Sequence, residues 1–271
     1  MMRITENVKH LLIINIIVYV GTLIIGQPVN DFLALHMPTD NHFKIWQVFT
    51  YMFMHGSPMH ILFNMFALYS FGVVLEQMWG GKRFLFFYFS CGIGAALLHM
   101  GITYMELQKA LEGAASLGLS KDTLHQILNI NYIEGNYYKG ELLEKQLIPI
   151  LKDVGKLGLL NEDNFKSLFD AGIVSQSITV GASGAIYGIL VAFAFLLPNA
   201  ELMLIFLPIP IKAKYFVPVI LLGDLVLGLK GESIFGGSDG IAHFAHLGGA
   251  LVGFLMMWYW KRHQFNNNRW N

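Results

Sequence analysis

Polar side chains that could do chemistry stand at a few places inside long apolar runs of this 271-residue sequence. The segment "GASGAIYG" contains Ser183, and Tyr187 follows one turn later on the same helical face. The segment "GIAHFAHLGGALVG" contains His243 and His246. A serine becomes a nucleophile when a nearby base removes its proton, and an imidazole is a suitable base. Small residues around a serine are equally typical of close helix packing, so the segments favour either a hydrolytic site or a packing seam.

Two further apolar runs carry polar groups. "MHILFNMFALYSFG" places His60 and Asn64 four residues apart, which puts both on one helical face, and "LLGDLVLG" contains Asp224. An ionisable side chain in hydrocarbon costs about 2.5 to 3.5 kcal/mol, so each of these residues needs a role. A hydrogen-bond network that fixes helix positions would be sufficient for His60 and Asn64. Asp224 could relay protons or could lie near a hydrated loop, and we favour a structural role.

The composition indicates a membrane protein. Hydrophobic residues make up 55% of the chain and charged residues 13%, and the mean hydropathy is positive. A bilayer core about 30 Å thick is crossed by about 20 mainly apolar helical residues. Runs approaching that length predict an all-α, multi-pass integral membrane protein whose six spans lie at about 10–27, 59–78, 84–104, 181–198, 212–229 and 242–260.

The spans divide the chain into three parts. We expect residues 1–104 to hold transmembrane helices 1–3 with a membrane-embedded first loop, and residues 178–271 to hold helices 4–6. Residues 105–177 mix charged and apolar residues at helical spacing, which predicts a helical insertion outside the membrane. Together the parts would form a single membrane domain that carries this insertion between helices 3 and 4.

The distribution of lysine and arginine predicts the orientation. If both termini are cytoplasmic, the short inner segments collect the larger share of these residues: Arg3, Lys9, Lys82, Arg83, Lys212, Lys214, Lys261, Arg262 and Arg269, against Lys44 and Lys230 outside. The insertion is then on the outer side. In this topology His60, Ser183 and His246 all lie near the outer ends of their helices, at similar depth. That convergence favours a common site.

Other partners and cofactors are not expected. The formal net charge is zero and the basic residues are scattered, which excludes nucleic acid as a partner. The single cysteine, Cys91, cannot form an internal disulfide and we expect it to be structural. Histidines could bind a metal, but the sequence has neither an HExxH pattern nor a cysteine pair, so we expect no metal and no cofactor.

Three motifs resemble those of the rhomboid family of intramembrane serine proteases. "GASGAIYG" resembles the GxSG motif, "HGSPMHILFN" resembles an HxxxxHxxxN segment on the second span, and "AHLGGALVG" resembles the histidine and spaced glycines of the sixth span. The resemblance covers about 200 residues and leaves out the insertion. It implies a six-transmembrane-helix, rhomboid-like bundle that hydrolyses peptide bonds in or near the transmembrane segments of single-pass membrane proteins.

The resemblance also implies a role for each matching residue. Ser183 would be the nucleophile and His246 its base, in a dyad without a carboxylate. His60 and Asn64 would hold the oxyanion with the backbone N–H of Ser183, and Tyr187 would stack on the imidazole of His246. Glycines of the same motifs would support the site by letting the helices approach: Gly181, Gly184, Gly249 and Gly253.

One departure and two alternatives accompany the resemblance. Rhomboids commonly have arginine after the tryptophan of the first loop, but here Trp46 is followed by Gln47, which puts the internal bonding of that loop in doubt. A rhomboid-like protein that binds membrane proteins without cutting them is one alternative, and a small transporter or channel is the other. We expect contact with membrane lipid and a location in a bacterial inner membrane. Oligomeric state is not predicted.

Overall fold

The computed structural model describes residues 3–135, 137–204, 207–230 and 241–267, and most of these residues are helical. The α-helices are α1 Glu6–Ile25, α2 Gln27–Leu33, α3 Gln47–Thr50, α4 Pro58–Ala67, α5 Val73–Trp79, α6 Gly81–Leu111, α7 Lys121–Leu128, α8 Gly140–Asp153, α9 Glu162–Gln176, α10 Ser183–Leu196, α11 Ala213–Lys230 and α12 Ile241–Asn267. A π-helical turn, Leu68–Gly72, joins α4 to α5. Short 3-10 turns cover Tyr51–Phe53, Glu112–Leu117 and Leu157–Leu159.

Two antiparallel hairpins interrupt the helices, and the all-α prediction omitted them. Strands β1 (Ile133–Glu134) and β2 (Tyr137–Tyr138) pair through Ile133 with Tyr138. Gly135 lies at this turn with a φ of 63°, a backbone conformation that glycine adopts without steric cost. Strands β3 (Glu201–Leu204) and β4 (Leu207–Lys212) form the second hairpin, directly before α11.

The chain divides into two compact units. The first comprises Met1–Ala34, Trp46–His99 and Thr179–Asn271, and the second comprises Leu35–Ile45 and Met100–Ile178. Part of the first predicted loop therefore belongs with the predicted insertion. No sequence pattern signals this grouping, because it depends on contacts between segments far apart in the chain.

Helices suited to a membrane lie wholly or partly in the first unit. Among the described residues, three helical segments are long and apolar enough to cross a bilayer: Glu6–Ile25, Pro58–Trp79 and Gly81–Leu117. Helix α10 is apolar but has 14 residues. On α1, apolar side chains such as Ile17, Leu23 and Ile24 are exposed, an arrangement that suits contact with lipid. Each of the six predicted ranges overlaps a described helix, while the number of spans stays a prediction.

The loop that contains Gln47 is held by side chains that bind the end of α2. The Gln47 amide donates to the Asp31 carbonyl at 2.9 Å, and Gln47 is fully buried. The Trp46 indole donates to the Phe32 carbonyl at 2.9 Å, and the Thr50 hydroxyl donates to the Leu33 carbonyl at 2.8 Å. These bonds satisfy carbonyl groups that a helix C-terminus leaves without partners. Glutamine therefore supplies internal bonding in this loop without the arginine.

A buried carboxylate on α5 caps the N-terminus of α1. One Glu76 oxygen accepts from the Thr5 hydroxyl at 2.5 Å and the Val8 N–H at 2.9 Å. The other accepts from the backbone and side-chain N–H groups of Asn7 at 3.1 and 2.7 Å. The first N–H groups of a helix lack partners within it, and the helix dipole favours negative charge there. Glu76 thus fixes the start of α1 against α5.

The second unit has its own apolar core. Leu143, Leu147 and Leu151 recur every four residues on α8 and are fully buried, together with Tyr132 and Leu168. Local signals define the neighbouring helices: the Ser120 hydroxyl caps α7, and the side chains of Asn161 and Asn164 form a reciprocal capping box on α9.

Hydrogen bonds attach the segment Leu35–Ile45 within the second unit. The Asn129 amide donates to the Thr39 carbonyl at 2.9 Å, and the hydroxyl groups of Thr39 and Ser175 are 2.7 Å apart. In the same segment, Asp40 accepts from ring nitrogens of His36 and His42 at 3.0 and 2.9 Å. Burial raises the pKa of Asp40, but the hydrogen bonds outweigh it and leave that pKa below its usual value.

Replacing Glu76 tests the cap on α1. In Glu76→Gln one oxygen becomes an amide that faces donors, so we expect the free energy of unfolding to fall by about 1–3 kcal/mol. Unfolding of the purified protein in detergent measures this change. Glu144→Gln, at an exposed position on α8, is the matched control and is expected to have no effect. Equal stability of Glu76→Gln and the wild type would contradict the assignment.

Candidate active site

Ser183 is the first residue of α10, and the backbone before it has a conformation that requires glycine. Gly181 has a φ of 131°, and its N–H donates to the Tyr51 carbonyl at 2.9 Å. A Cβ atom at position 181 would lie 2.8 Å from Nε2 of His60. Both the conformation and the space therefore demand glycine, and this turn brings the start of α10 close to His60.

Ser183 and His246 form a hydrogen bond between two helices. Oγ of Ser183, on α10, is 2.8 Å from Nε2 of His246, on α12. The ring of Tyr187 stacks on the imidazole, with the centroids 4.2 Å apart and an angle of 12° between the planes. The structure thus brings together all three residues that the sequence placed on these helices.

Glycines allow this close approach of α10 and α12. A Cβ atom at position 249 would overlap the backbone carbonyl of Gly184, and one at position 253 would lie 2.8 Å from the Cα atom of Gly188. Helix α10 also packs closely on α6, because a Cβ atom at position 188 would overlap Sγ of the buried Cys91. The predicted packing seam and the Ser183–His246 pair are therefore parts of one arrangement.

His60 and Asn64 lie on α4, one turn apart. The Ser57 hydroxyl caps this helix by accepting from the His60 N–H at 3.2 Å. Asn64 is 6% exposed, and among the described residues its Nδ2 has no hydrogen-bond acceptor. A buried amide donor without an acceptor costs free energy, so it is suited to bind an anion that the protein itself does not contain.

His55 packs against His60 from the loop before α4. The two rings are 5.0 Å apart and nearly perpendicular. Burial, together with the neighbouring imidazole of His60, lowers the pKa of His55 to about 3. His55 is therefore uncharged at neutral pH and adds no positive charge beside His60.

Asp224 lies beside the imidazole of His246, whereas the resemblance implied a dyad without a carboxylate. Oδ1 of Asp224, on α11, lies 3.2 Å from Nδ1 of His246 and also forms a short hydrogen bond with Nδ1 of His243. Asp224 is 3% exposed. The sequence shows Asp224 as an acidic residue in an apolar run. It does not show which residues contact Asp224, because α11 is apolar on all sides and the face that meets α12 cannot be identified from the pattern.

Two side-chain clusters in the described part of the chain have donor atoms close enough to hold a metal ion. Asp224, His243 and His246 form one, and His36, Asp40 and His42 form the other; within each, the ligand atoms lie within 4.8 Å of one another. In both clusters the imidazoles are already hydrogen-bonded to the carboxylate. Such bonds account for the positions of these groups without an ion.

Comparison with known proteins identifies the family. A protein-family model described as the Rhomboid domain matches residues 42–121 and 160–263, which is more than half of the chain. The chain therefore belongs to the rhomboid family. Its fold is accordingly that of an integral membrane protein built mainly from helices.

The chain is similar to individual proteins at 27 to 35% sequence identity. The chain is 27% identical over 226 residues to an uncharacterized mitochondrial rhomboid protein of Schizosaccharomyces pombe, with 80% of this chain and 52% of that protein covered. It is 31% identical over 117 residues to mitochondrial Rhomboid protein 1 of Saccharomyces cerevisiae, with 37% and 32% covered. It is 35% identical over 71 residues to the rhomboid protease GlpG of Salmonella paratyphi A, with 26% of each covered. The chain thus spans about half the length of the first of these relatives and less of the others.

Replacing Gly249 tests the glycine seam. A methyl group there would meet the backbone of Gly184, so we expect Gly249→Ala to lower the free energy of unfolding by about 1–3 kcal/mol. Gly223→Ala is the control, because nothing lies within 4 Å of a Cβ at this position of α11. Alanine is also the better helix former, so the control should be unchanged or slightly stabilised. Equal effects of the two substitutions would rule out a specific seam.

Proposed function

We propose that the protein is an intramembrane serine endopeptidase in which Ser183 is the nucleophile and His246 the general base. The observation that carries the proposal is the 2.8 Å contact between Oγ of Ser183 and Nε2 of His246, because this is the reach that proton transfer requires. Membership of a family that includes proteins named as proteases supports the same assignment.

The reaction follows from this contact. As Oγ of Ser183 attacks the scissile carbonyl carbon, its proton moves to Nε2 of His246, and the carbonyl oxygen becomes an oxyanion. The imidazolium then gives this proton to the leaving amine nitrogen, and the C–N bond breaks to leave an acyl ester on Ser183. A water molecule, deprotonated by His246, hydrolyses the ester and restores both residues.

Donors for the oxyanion come from two helices. Asn64 offers its Nδ2 from α4, and His60 lies beside Gly181, two residues before the serine. The backbone N–H of Ser183 is the third donor, since the first N–H groups of α10 have no acceptors within the helix. Negative charge that develops away from bulk water depends strongly on such preorganised donors.

The substrates that suit this site are single-pass membrane proteins. A peptide bond in a regular helix is shielded by its own turns, so a segment that unwinds easily reaches Ser183 at lower cost. Helix-destabilising residues and a small residue before the cut are expected in the substrate. The active protein is proposed to have six spans, cytoplasmic termini and contact with membrane lipid.

The names of the relatives bear on the compartment of the protein. A bacterial inner membrane was expected from the sequence, but the comparisons do not support it, since two of the relatives carry a mitochondrial designation. The GlpG relative is from a bacterium. The proposed chemistry is the same in either membrane.

Cleavage of a model substrate tests the proposed function. The purified protein in detergent or liposomes is expected to cut a transmembrane segment that contains a small residue followed by helix-breaking residues. Ser183→Ala and His246→Ala are expected to reduce cleavage to background, and Asn64→Ala should reduce the rate about 10²- to 10³-fold. Ser116→Ala, at an exposed position of the second unit, is the control and should match the wild type.

The same variants distinguish the alternatives. A rhomboid-like protein that only binds membrane proteins would show no cleavage with wild-type protein and would not react with a fluorophosphonate probe. Labelling of Ser183 by the probe, lost in His246→Ala, is the result expected for the protease. Equal cleavage by wild type, Ser183→Ala and His246→Ala would exclude the proposed reaction.

A further inference from the structure

Asp224 is the acidic residue that contacts the proposed base. Its carboxylate, on α11, is nearly fully buried, and a single oxygen accepts hydrogen bonds from Nδ1 of both His243 and His246. A carboxylate removed from water is costly unless it is hydrogen-bonded, and the two imidazoles supply that compensation. Oδ1 of Asp224 is thus compensated, whereas Oδ2 is buried without a hydrogen-bond partner among the described residues, and one member of the cluster, His246, belongs to the proposed reaction.

The bond from His246 to Asp224 determines which ring nitrogen carries the proton. An ionised carboxylate can only accept hydrogen bonds, so Nδ1 of His246 must be the donor. In a neutral imidazole the other nitrogen then carries the lone pair. That nitrogen, Nε2, lies 2.8 Å from Oγ of Ser183 and is ready to accept its proton. The tautomer that the reaction requires is thus selected by a residue that does not itself touch the serine.

We propose that Asp224 is a positioning residue for this reaction: it holds His246 in the reactive tautomer and orientation and stabilises the imidazolium that forms when Ser183 attacks. The inference rests on the proposed function. It replaces a two-residue site by a three-residue chain, Ser183–His246–Asp224, in which each contact lies on a different pair of helices. After proton transfer the ring of His246 is positively charged, and opposite charges attract strongly where water is scarce. Asp224 therefore stabilises His246 mainly after the transfer.

Neighbouring residues hold the side chains of His246 and Asp224 in position. Tyr187 covers one face of the His246 ring and leaves its two nitrogens to Ser183 and Asp224. His243, one turn earlier on α12, fixes the shared oxygen of Asp224, and its ring is nearly perpendicular to that of His246 at 6.3 Å. Gly228 brings α11 close to α12 at this level, because a Cβ there would lie 3.2 Å from Cβ of His243.

Asp224→Asn tests the proposal against a purely structural role. Asparagine keeps the size but can turn a donor toward Nδ1, which favours the wrong tautomer. We expect kcat to fall about 10²- to 10⁴-fold, as for loss of such a carboxylate elsewhere. KM should change less than about threefold, because no substrate contact is removed. Asp224→Glu keeps the acceptor and should retain more activity than Asp224→Asn. Asp153→Asn, exposed at the end of α8, is the matched control and should behave as wild type.

A measurement on the wild type covers the case in which Asp224→Asn does not fold. Nitrogen-15 NMR of histidine-labelled protein should show His246 neutral with its proton on Nδ1. A proton on Nε2 would overturn the inference.

The outcomes separate this inference from the function on which it rests. If Ser183→Ala cleaves the model substrate as well as the wild type, the proposed function fails. If Ser183→Ala is inactive while Asp224→Asn stays within about threefold of the wild-type kcat, the protease remains and the role of Asp224 is excluded. A slower reaction of Ser183 with a fluorophosphonate in Asp224→Asn, at unchanged thermal stability, supports the positioning role directly.

Discussion

The close approach of α10 and α12 is the constraint on which the candidate site depends. A serine side chain is short, so its hydroxyl reaches an imidazole on another helix only when the two backbones nearly touch. Gly249 against Gly184 and Gly253 against Gly188 provide that distance, and the Ser183–His246 hydrogen bond follows from it. The turn at Gly181 then sets the position of Ser183 at the start of α10. Packing and chemistry are therefore linked through the same small residues.

Buried carboxylates organise the rest of the first unit. Glu76 receives four donors at the start of α1, and Asp224 receives imidazole donors from α12. In an apolar medium an unpaired carboxylate would be strongly destabilising, so each acid also specifies which helix ends and faces must meet it. The two acids differ in their partners: amide and hydroxyl groups fix a helix terminus, whereas imidazoles can also exchange protons.

The helices and the motif residues could be predicted from the sequence, whereas contacts between distant elements could not. His60, Asn64, Ser183 and His246 stood out because polar side chains in apolar runs need a reason, and the motif glycines stood out by their spacing. Asp224 was visible as an acid, but its contact with His246 depends on how α11 is rotated against α12. Glu76 gave no signal, and Gln47 stood out only as a departure from the rhomboid pattern. The partners of both belong to other elements, and the sequence does not show which elements meet. The grouping of residues 35–45 with the second unit depends in the same way on tertiary packing.

The most direct test of the central claim is a structure of the protein after reaction with a phosphonate inhibitor. The account predicts a covalent bond between phosphorus and Oγ of Ser183, with one phosphonyl oxygen within hydrogen-bond distance of Nδ2 of Asn64 and the backbone N–H of Ser183. The imidazole of His246 should remain between Ser183 and Asp224. An unmodified Ser183, or an adduct whose oxygen points away from α4, would contradict the account.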